Sequence, residues 1–91
     1  MASGTVTQNA TTTIDNTNAS GMAAKDLHCL TIMGAAVCTI TLFHLDQPTG
    51  TVYATGFTAN TATYVMKGCT KIEILEDNTG AGTYTYEPYG G

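Results

Sequence analysis

The chain has 91 residues and a formal net charge of −4, with only 11% charged residues, three lysines and no arginine. This length suits one domain, because a second hydrophobic core would have too little chain to form it. The composition argues against nucleic-acid binding, because three scattered lysines do not form the cluster of cations that phosphate contacts require. It also argues against a membrane-spanning helix, because no apolar run approaches roughly 20 residues.

Residues 1–26 form the first segment of the chain, with a first predicted strand over residues 5–14 and a single helical turn at 21–26. The segment contains three large apolar side chains, Val6, Ile14 and Met22. So few cannot bury a core of their own. We therefore expect either an edge strand on the domain or an extended N-terminal arm that orders against a neighbour.

Residues 27–91 show the two-residue alternation of apolar and polar side chains that is typical of β-strands, with many β-favouring types. Strands are predicted over residues 27–33, 37–45, 51–57, 61–66, 70–75 and 83–87. Short strands at spacings of about ten residues predict an all-β fold, a small antiparallel β-sandwich or barrel (jelly-roll-like) of six to eight strands.

Turn residues predict how these strands are connected. Pro48 and Gly50 mark a turn over residues 46–50, since proline presets φ and glycine permits positive φ. Residues 37–57 are therefore predicted to form a hairpin with a longer loop. The strands at 61–66 and 70–75 are joined through residues 67–69, and residues 76–82 form a loop.

The histidines and cysteines predict no catalytic pair. His28 and Cys29 are adjacent on a strand and so point to opposite faces. Cys38 and His44 share a face but lie about 20 Å apart at the rise of a strand. We expect no enzyme activity, no cofactor and no metal site, because the spacing of these residues matches no paired zinc pattern.

The cysteine thiols and the acidic side chains are better explained by structural roles than by catalysis. The odd number of cysteines, three, predicts free and buried thiols. Glu73 is expected on a solvent-facing side of its strand, and Glu76 and Asp77 in a solvated loop.

A neutral, threonine-rich surface is the most informative feature of the composition. The chain contains nineteen threonines, and a hydroxyl is cheaper to desolvate than a charge. This favours a surface that packs against other protein, although a domain with a merely threonine-rich exterior would look the same. Aromatic side chains on β faces serve protein interfaces or stack on sugars. The side chains that we predict to bind a partner are Val6, Ile14, Tyr84, Tyr86 and Tyr89.

Four segments of the chain carry a family resemblance, namely residues 1–7 (MASGTVT), 58–65 (TANTATYV), 69–74 (CTKIEI) and 78–84 (NTGAGTY). They resemble small β-sandwich structural proteins of tailed-phage virions, especially head decoration (cement) proteins. The resemblance implies a homo-oligomer, commonly a trimer, that sits on the capsid and braces its subunits. The major capsid protein or another virion protein would be its partner, and an N-terminal arm would reach onto that partner.

The function that we expect is therefore capsid decoration and stabilisation through protein–protein contacts. One alternative is a tail or head–tail accessory structural protein, and another is a carbohydrate-binding β-sandwich module. The pattern of a signal peptide, a charged start followed by an apolar core, is not found in the sequence. We expect synthesis in the host cytoplasm and a final location in the virion.

Overall fold

Eight antiparallel strands make up most of the chain in the computed structural model, which describes residues 2–34, 37–45, 47–58, 62–77 and 80–90. The strands are β1 Ala2–Val6, β2 Thr11–Ile14, β3 Leu27–Gly34, β4 Val37–His44, β5 Gln47–Thr58, β6 Ala62–Met66, β7 Cys69–Glu76 and β8 Gly82–Tyr89. A 3₁₀ turn at Met22–Ala24 precedes β3. No helix in the described residues is long and apolar enough to cross a membrane.

The strands form two four-stranded sheets, in the orders β1-β8-β3-β6 and β2-β7-β4-β5. Except between β4 and β5 the chain changes sheet at every connection, so each sheet combines strands from both halves of the sequence. These two orders are those of a jelly roll, a double sheet built from two Greek keys. The predicted all-β antiparallel sandwich is confirmed.

The core lies between the sheets and is built by the alternation visible in the sequence. On β3 the side chains of Leu30 and Ile32 are buried while those beside them are partly or fully exposed. On β7, Ile72 and Ile74 point inward and Lys71 and Glu73 outward, as predicted. The other buried apolar side chains are Val6, Ile14, Met22, Cys38, Ile40, Leu42, Cys69, Tyr84 and Tyr86.

Two connections differ from the prediction. The single strand expected over residues 5–14 is two strands in different sheets, separated by a turn in which Asn9 has φ 58°. The β5 strand begins at Gln47, directly paired with His44, so the longer loop expected there is wrong. Strands β6 and β7 are joined close to the predicted residues, and they belong to opposite sheets. Residues 35, 36 and 46, and the whole connection between β5 and β6 (59–61), lie outside the described residues.

The first 26 residues lie on the domain as edge strands. Strand β1 pairs with β8 at one edge of the first sheet, and β2 pairs with β7 at the corresponding edge of the second. Val6, Ile14 and Met22 are fully buried in the shared core. Each such burial contributes roughly 1.5–3 kcal/mol, and the strand hydrogen bonds help offset the entropy of ordering the segment.

Candidate partner-binding face

The outer side of the first sheet is the surface with the least charge in the described molecule. We call it the neutral face and define it by the outward side chains of β1, β8 and β3: Ser3, Thr5, Thr83, Thr85, Glu87, Tyr89, Leu27, Cys29, Thr31 and Met33. Glu87 is the single charged member of this set. Strand alternation creates the face, since every second residue of each strand points away from the core.

Cross-strand register arranges these side chains in rows. Thr85 of β8 lies between Ser3 of β1 and Thr31 of β3, which gives a hydroxyl row across the middle of the sheet. The next row places Thr83 between Thr5 and Met33. Directly opposed side chains on a sheet are about 4.5–5.5 Å apart at Cβ, so the rows form a continuous surface of small neutral groups.

Apolar side chains are exposed at both ends of β3. Leu27 is 44% exposed and is paired in register with Tyr89, which is 50% exposed. Met33, at the far end of the strand, is also 50% exposed. Exposed apolar groups of this size beside neutral hydroxyls are cheap to remove from water, so this face is suited to contact with another protein.

The one carboxylate of the neutral face lies beside Tyr89. The Tyr89 hydroxyl donates a 3.4 Å hydrogen bond to Oε2 of Glu87. The Glu87 charge raises the pKa of Tyr89, with a smaller contribution from desolvation. The tyrosine therefore stays neutral near pH 7 and offers a partner a ring and a hydroxyl instead of a second negative charge.

The outer side of the second sheet has a different character. Lys71 Nζ lies 3.8 Å from Glu73 Oε2 and 4.1 Å from the centroid of the Phe43 ring. Both partners of the ion pair are partly exposed, so the pair contributes at most about 1 kcal/mol to stability. This face presents an ion pair to water, whereas the neutral face carries the single charge of Glu87.

An open pocket of about 380 Å³ lies beside that ion pair, lined by Asp15, Asn16, Thr17, Phe43, Thr70 and Lys71. Its polar groups are largely engaged with one another. Asp15 Oδ1 accepts hydrogen bonds from both the backbone and the hydroxyl of Thr17, and these bonds lower the pKa of Asp15. The Lys71 ammonium occupies the position over the Phe43 ring that a stacked sugar would take.

The side chains predicted to bind a partner divide into two groups. Val6, Ile14, Tyr84 and Tyr86 are all buried in the core of the domain, whereas Tyr89 is exposed on the neutral face. The structure therefore does not bring these five residues together on one surface. Tyr84 and Tyr86 share a face of β8, as predicted, but that face is the inner one. The side chains of Tyr53 and Tyr64 lie outside the described residues.

A buried polar pair lies in the core between β3 and β8. Nδ1 of His28 makes a short hydrogen bond with the Tyr86 hydroxyl, and the two rings are stacked with centroids 5.7 Å apart. Burial lowers the pKa of His28 and raises that of Tyr86 to about 12. Both groups are therefore neutral near pH 7, which suits a position without water. Cys29 points to the other side of the sheet, as the sequence predicts.

Glu76 corrects an expectation, because it is buried instead of solvated in a loop. Its Oε1 accepts the backbone N–H of Asn9 at 2.8 Å and its Oε2 accepts that of Gly80 at 3.2 Å. The carboxylate thus ties the turn after β1 to the loop before β8. Acidic residues opening a loop give no sequence signal for this role, since the closer of the two contacts comes from Asn9, 67 residues away.

The cysteines are all free, but not all buried. Cys38 and Cys69 are in the core, while Cys29 is half-buried on the neutral face, which corrects the expectation for that residue. Burial raises the pKa of Cys38 to about 11, with smaller contributions from Glu76 and Asp77. Within the described residues, no three His, Cys, Asp or Glu side chains are grouped to hold a metal ion.

Comparisons of the chain with protein-family models, with curated proteins and with solved structures found no match.

Proposed function

We propose that this chain is a structural subunit of a virion that decorates the capsid shell and stabilises it through protein–protein contacts. The proposal rests on the neutral face. Cores of protein interfaces are depleted in charged residues and enriched in Tyr and Met. The neutral face follows this composition, with Tyr89 and Met33 exposed and Glu87 as its only charge among the described residues.

The low charge of the whole chain supports the same proposal. A small domain that works alone in solution usually keeps about a quarter of its residues charged, against 11% here. The jelly-roll order of the strands is also found in viral capsid proteins and in lectins. Because one fold serves many functions, the topology supports the proposal only together with the surface.

The partner that this proposal implies is the major capsid protein or another protein of the same virion. The neutral face would lie against the shell, and the charged outer side of the second sheet would face water. Such a subunit needs no catalytic residues, cofactor or metal ion. Its contribution would be mechanical, through burial of apolar and hydroxyl-bearing surface between shell subunits.

The test is co-sedimentation of the purified chain with shells assembled from the major capsid protein of the same source. We expect the chain to pellet with the shells and to raise the temperature at which they rupture. A Thr31→Lys/Thr85→Lys double variant should lose this binding, since it places two charges in the middle row of the neutral face. The matched control is Thr39→Lys/Thr41→Lys, which adds the same charges to the outer side of the second sheet and should bind normally.

Equal binding by both double variants would contradict the assignment of the face. Binding to purified tails, without binding to capsid shells, would support the tail-accessory alternative. Retention on a carbohydrate array without binding to any virion protein would overturn the proposal in favour of a sugar-binding module.

A further inference from the structure

One of the two edges of the first sheet is formed by β1. This strand pairs with β8 on one side and has no strand on the other among the described residues. All five of its residues pair with β8 in an uninterrupted antiparallel register. A regular strand at an edge presents alternate backbone N–H and C=O groups to whatever lies beside it. This edge can therefore accept another strand.

The other three edge strands have features that discourage such pairing. Strand β5 contains Pro48 and pairs with β4 through several register shifts. Strand β2 is followed at once by Asp15, and β6 by the exposed Lys67. Charges, proline and irregular register are the usual means by which proteins protect sheet edges. Residues 1–14 contain no charged residue and no proline.

We infer that β1 pairs edge to edge with β1 of a second copy of this chain, which joins the two first sheets into one continuous sheet of eight strands. An antiparallel contact between two identical strands is related by a two-fold axis, so the same edge serves both copies. When the pairing is centred on Gly4, Ser3 of each copy lies opposite Thr5 of the other. Both side chains are small, neutral and exposed, so they meet without repulsion.

The backbone groups of β1 remain able to make this contact. The Thr5 carbonyl already accepts a long hydrogen bond, 3.4 Å, from the Thr12 hydroxyl, but a carbonyl oxygen has two lone pairs and can accept a second. Five paired residues would supply about four hydrogen bonds between the copies. The net charge of −4 opposes association little, because none of the charged residues lies in the first fourteen.

This inference does not depend on the virion proposal. It predicts a dimer, whereas the phage resemblance implies a trimer, so solution mass separates the two expectations. In the dimer the neutral faces of both copies would form a single surface of twice the area. A weak contact made by one face would thereby become bivalent.

The experiment measures the mass of the intact chain by light scattering and follows it in charge variants of the edge. We expect a dimer of twice 9.5 kDa. Ser3→Lys/Thr5→Lys places lysine opposite lysine across the axis and should raise the dissociation constant at least tenfold. Ser3→Lys/Thr5→Glu places lysine opposite glutamate and should restore the dimer. Thr83→Lys/Thr85→Lys, with the same charges one strand inward, should remain dimeric.

A monomer, a trimer, or a dimer that tolerates the lysine pair would overturn the inference. If circular dichroism shows that the lysine pair unfolds the chain, amide hydrogen exchange of the intact chain decides. Exchange of residues 2–6 should slow as the concentration of the chain rises. Exchange that stays constant would show that this edge binds no partner. Exchange that slows only when capsid protein is added would show that the edge binds that protein instead of a second copy of the chain.

Discussion

The imidazole of His28 and the hydroxyl of Tyr86 hydrogen-bond inside the core, although they come from strands far apart in the sequence. The other ring nitrogen, Nε2, is buried without a hydrogen-bond partner among the described residues. Protonation would put a charge into this buried site, which is costly. The core is therefore built around the neutral form of the histidine.

We predict that the folded chain becomes less stable as pH falls below about 6.5, the usual pKa of an unfolded histidine. Burial is the largest cause that lowers the pKa of His28 in the folded state. The unfolded state then binds the proton first, so stability is complete above that pH and is lost below it. Each unit of pKa difference corresponds to about 1.4 kcal/mol.

Urea unfolding at pH 7.5 and pH 5.5 measures this effect, with His28→Phe as the comparison. The variant should lose less stability between the two pH values than the unaltered chain. Equal losses would show that His28 does not contribute to the pH dependence.

Removing the Glu76 carboxylate should destabilise the fold more than its position at a strand end suggests. Glu76→Ala leaves the partly buried N–H groups of Asn9 and Gly80 without their acceptors, and we expect a loss of about 1–3 kcal/mol in total. Glu76→Gln keeps one acceptor oxygen and should cost less. The neighbouring exposed Asp77, changed to Asn, serves as the control, and thermal unfolding ranks the three variants. A Glu76→Ala variant as stable as Asp77→Asn would contradict the assigned role.

Two glycines with similar backbone angles should respond differently to alanine. Gly50 and Gly68 have φ 83° and 73°, a region that costs an L-residue about 1–2 kcal/mol. A Cβ on Gly68 would meet nothing within 4 Å, whereas one on Gly50 would lie 2.6 Å from Cε2 of Phe43. Gly50→Ala should therefore cost about 1–3 kcal/mol more than Gly68→Ala, because the ring must move. Chemical denaturation measures the free energy of unfolding of both variants. Equal losses would mean that the Phe43 ring can move aside without cost.

Thiol labelling should distinguish the three cysteines in the native chain. Cys29 is partly accessible, while Cys38 and Cys69 are buried and burial raises the pKa of both thiols. Because the thiolate is the reactive form, we expect one thiol to react rapidly at pH 8 and two only after unfolding. Cys29→Ser should abolish the rapid phase. A rapid phase that persists in this variant would place another cysteine at the surface.

The sequence predicted what depends on neighbours along the chain. The faces of β7 and β8 follow from alternation alone, and the predicted limits of these two strands are within two residues of those observed. It did not predict what depends on pairing between distant segments. Strands β6 and β7 are short and close in sequence, which favours a hairpin locally, but the jelly roll places them in different sheets.

The same distinction applies to the neutral face, the proposed partner-binding surface. A high content of threonine and little charge predict contact with protein, but the sequence did not show which side of which sheet has the least charge. Tyr84 and Tyr86 were candidates because aromatic side chains are common at interfaces, yet they fill the core. Leu27 and Met33 were not candidates, because apolar residues in a strand are first assigned to the interior.

The pairing of β1 with β8, in which Val6 lies opposite Gly82, also bears on how the chain is made. During synthesis β1 leaves the ribosome before β8, the strand that it needs, and the six strands between them are translated in the meantime. All of these strands must therefore emerge before β1 can pair, and long-range pairing of this kind is intrinsically slow. Until then an uncharged strand stays open to mispairing with other nascent chains. Slower elongation between β1 and β8 would prolong that exposure and lower the yield of folded protein.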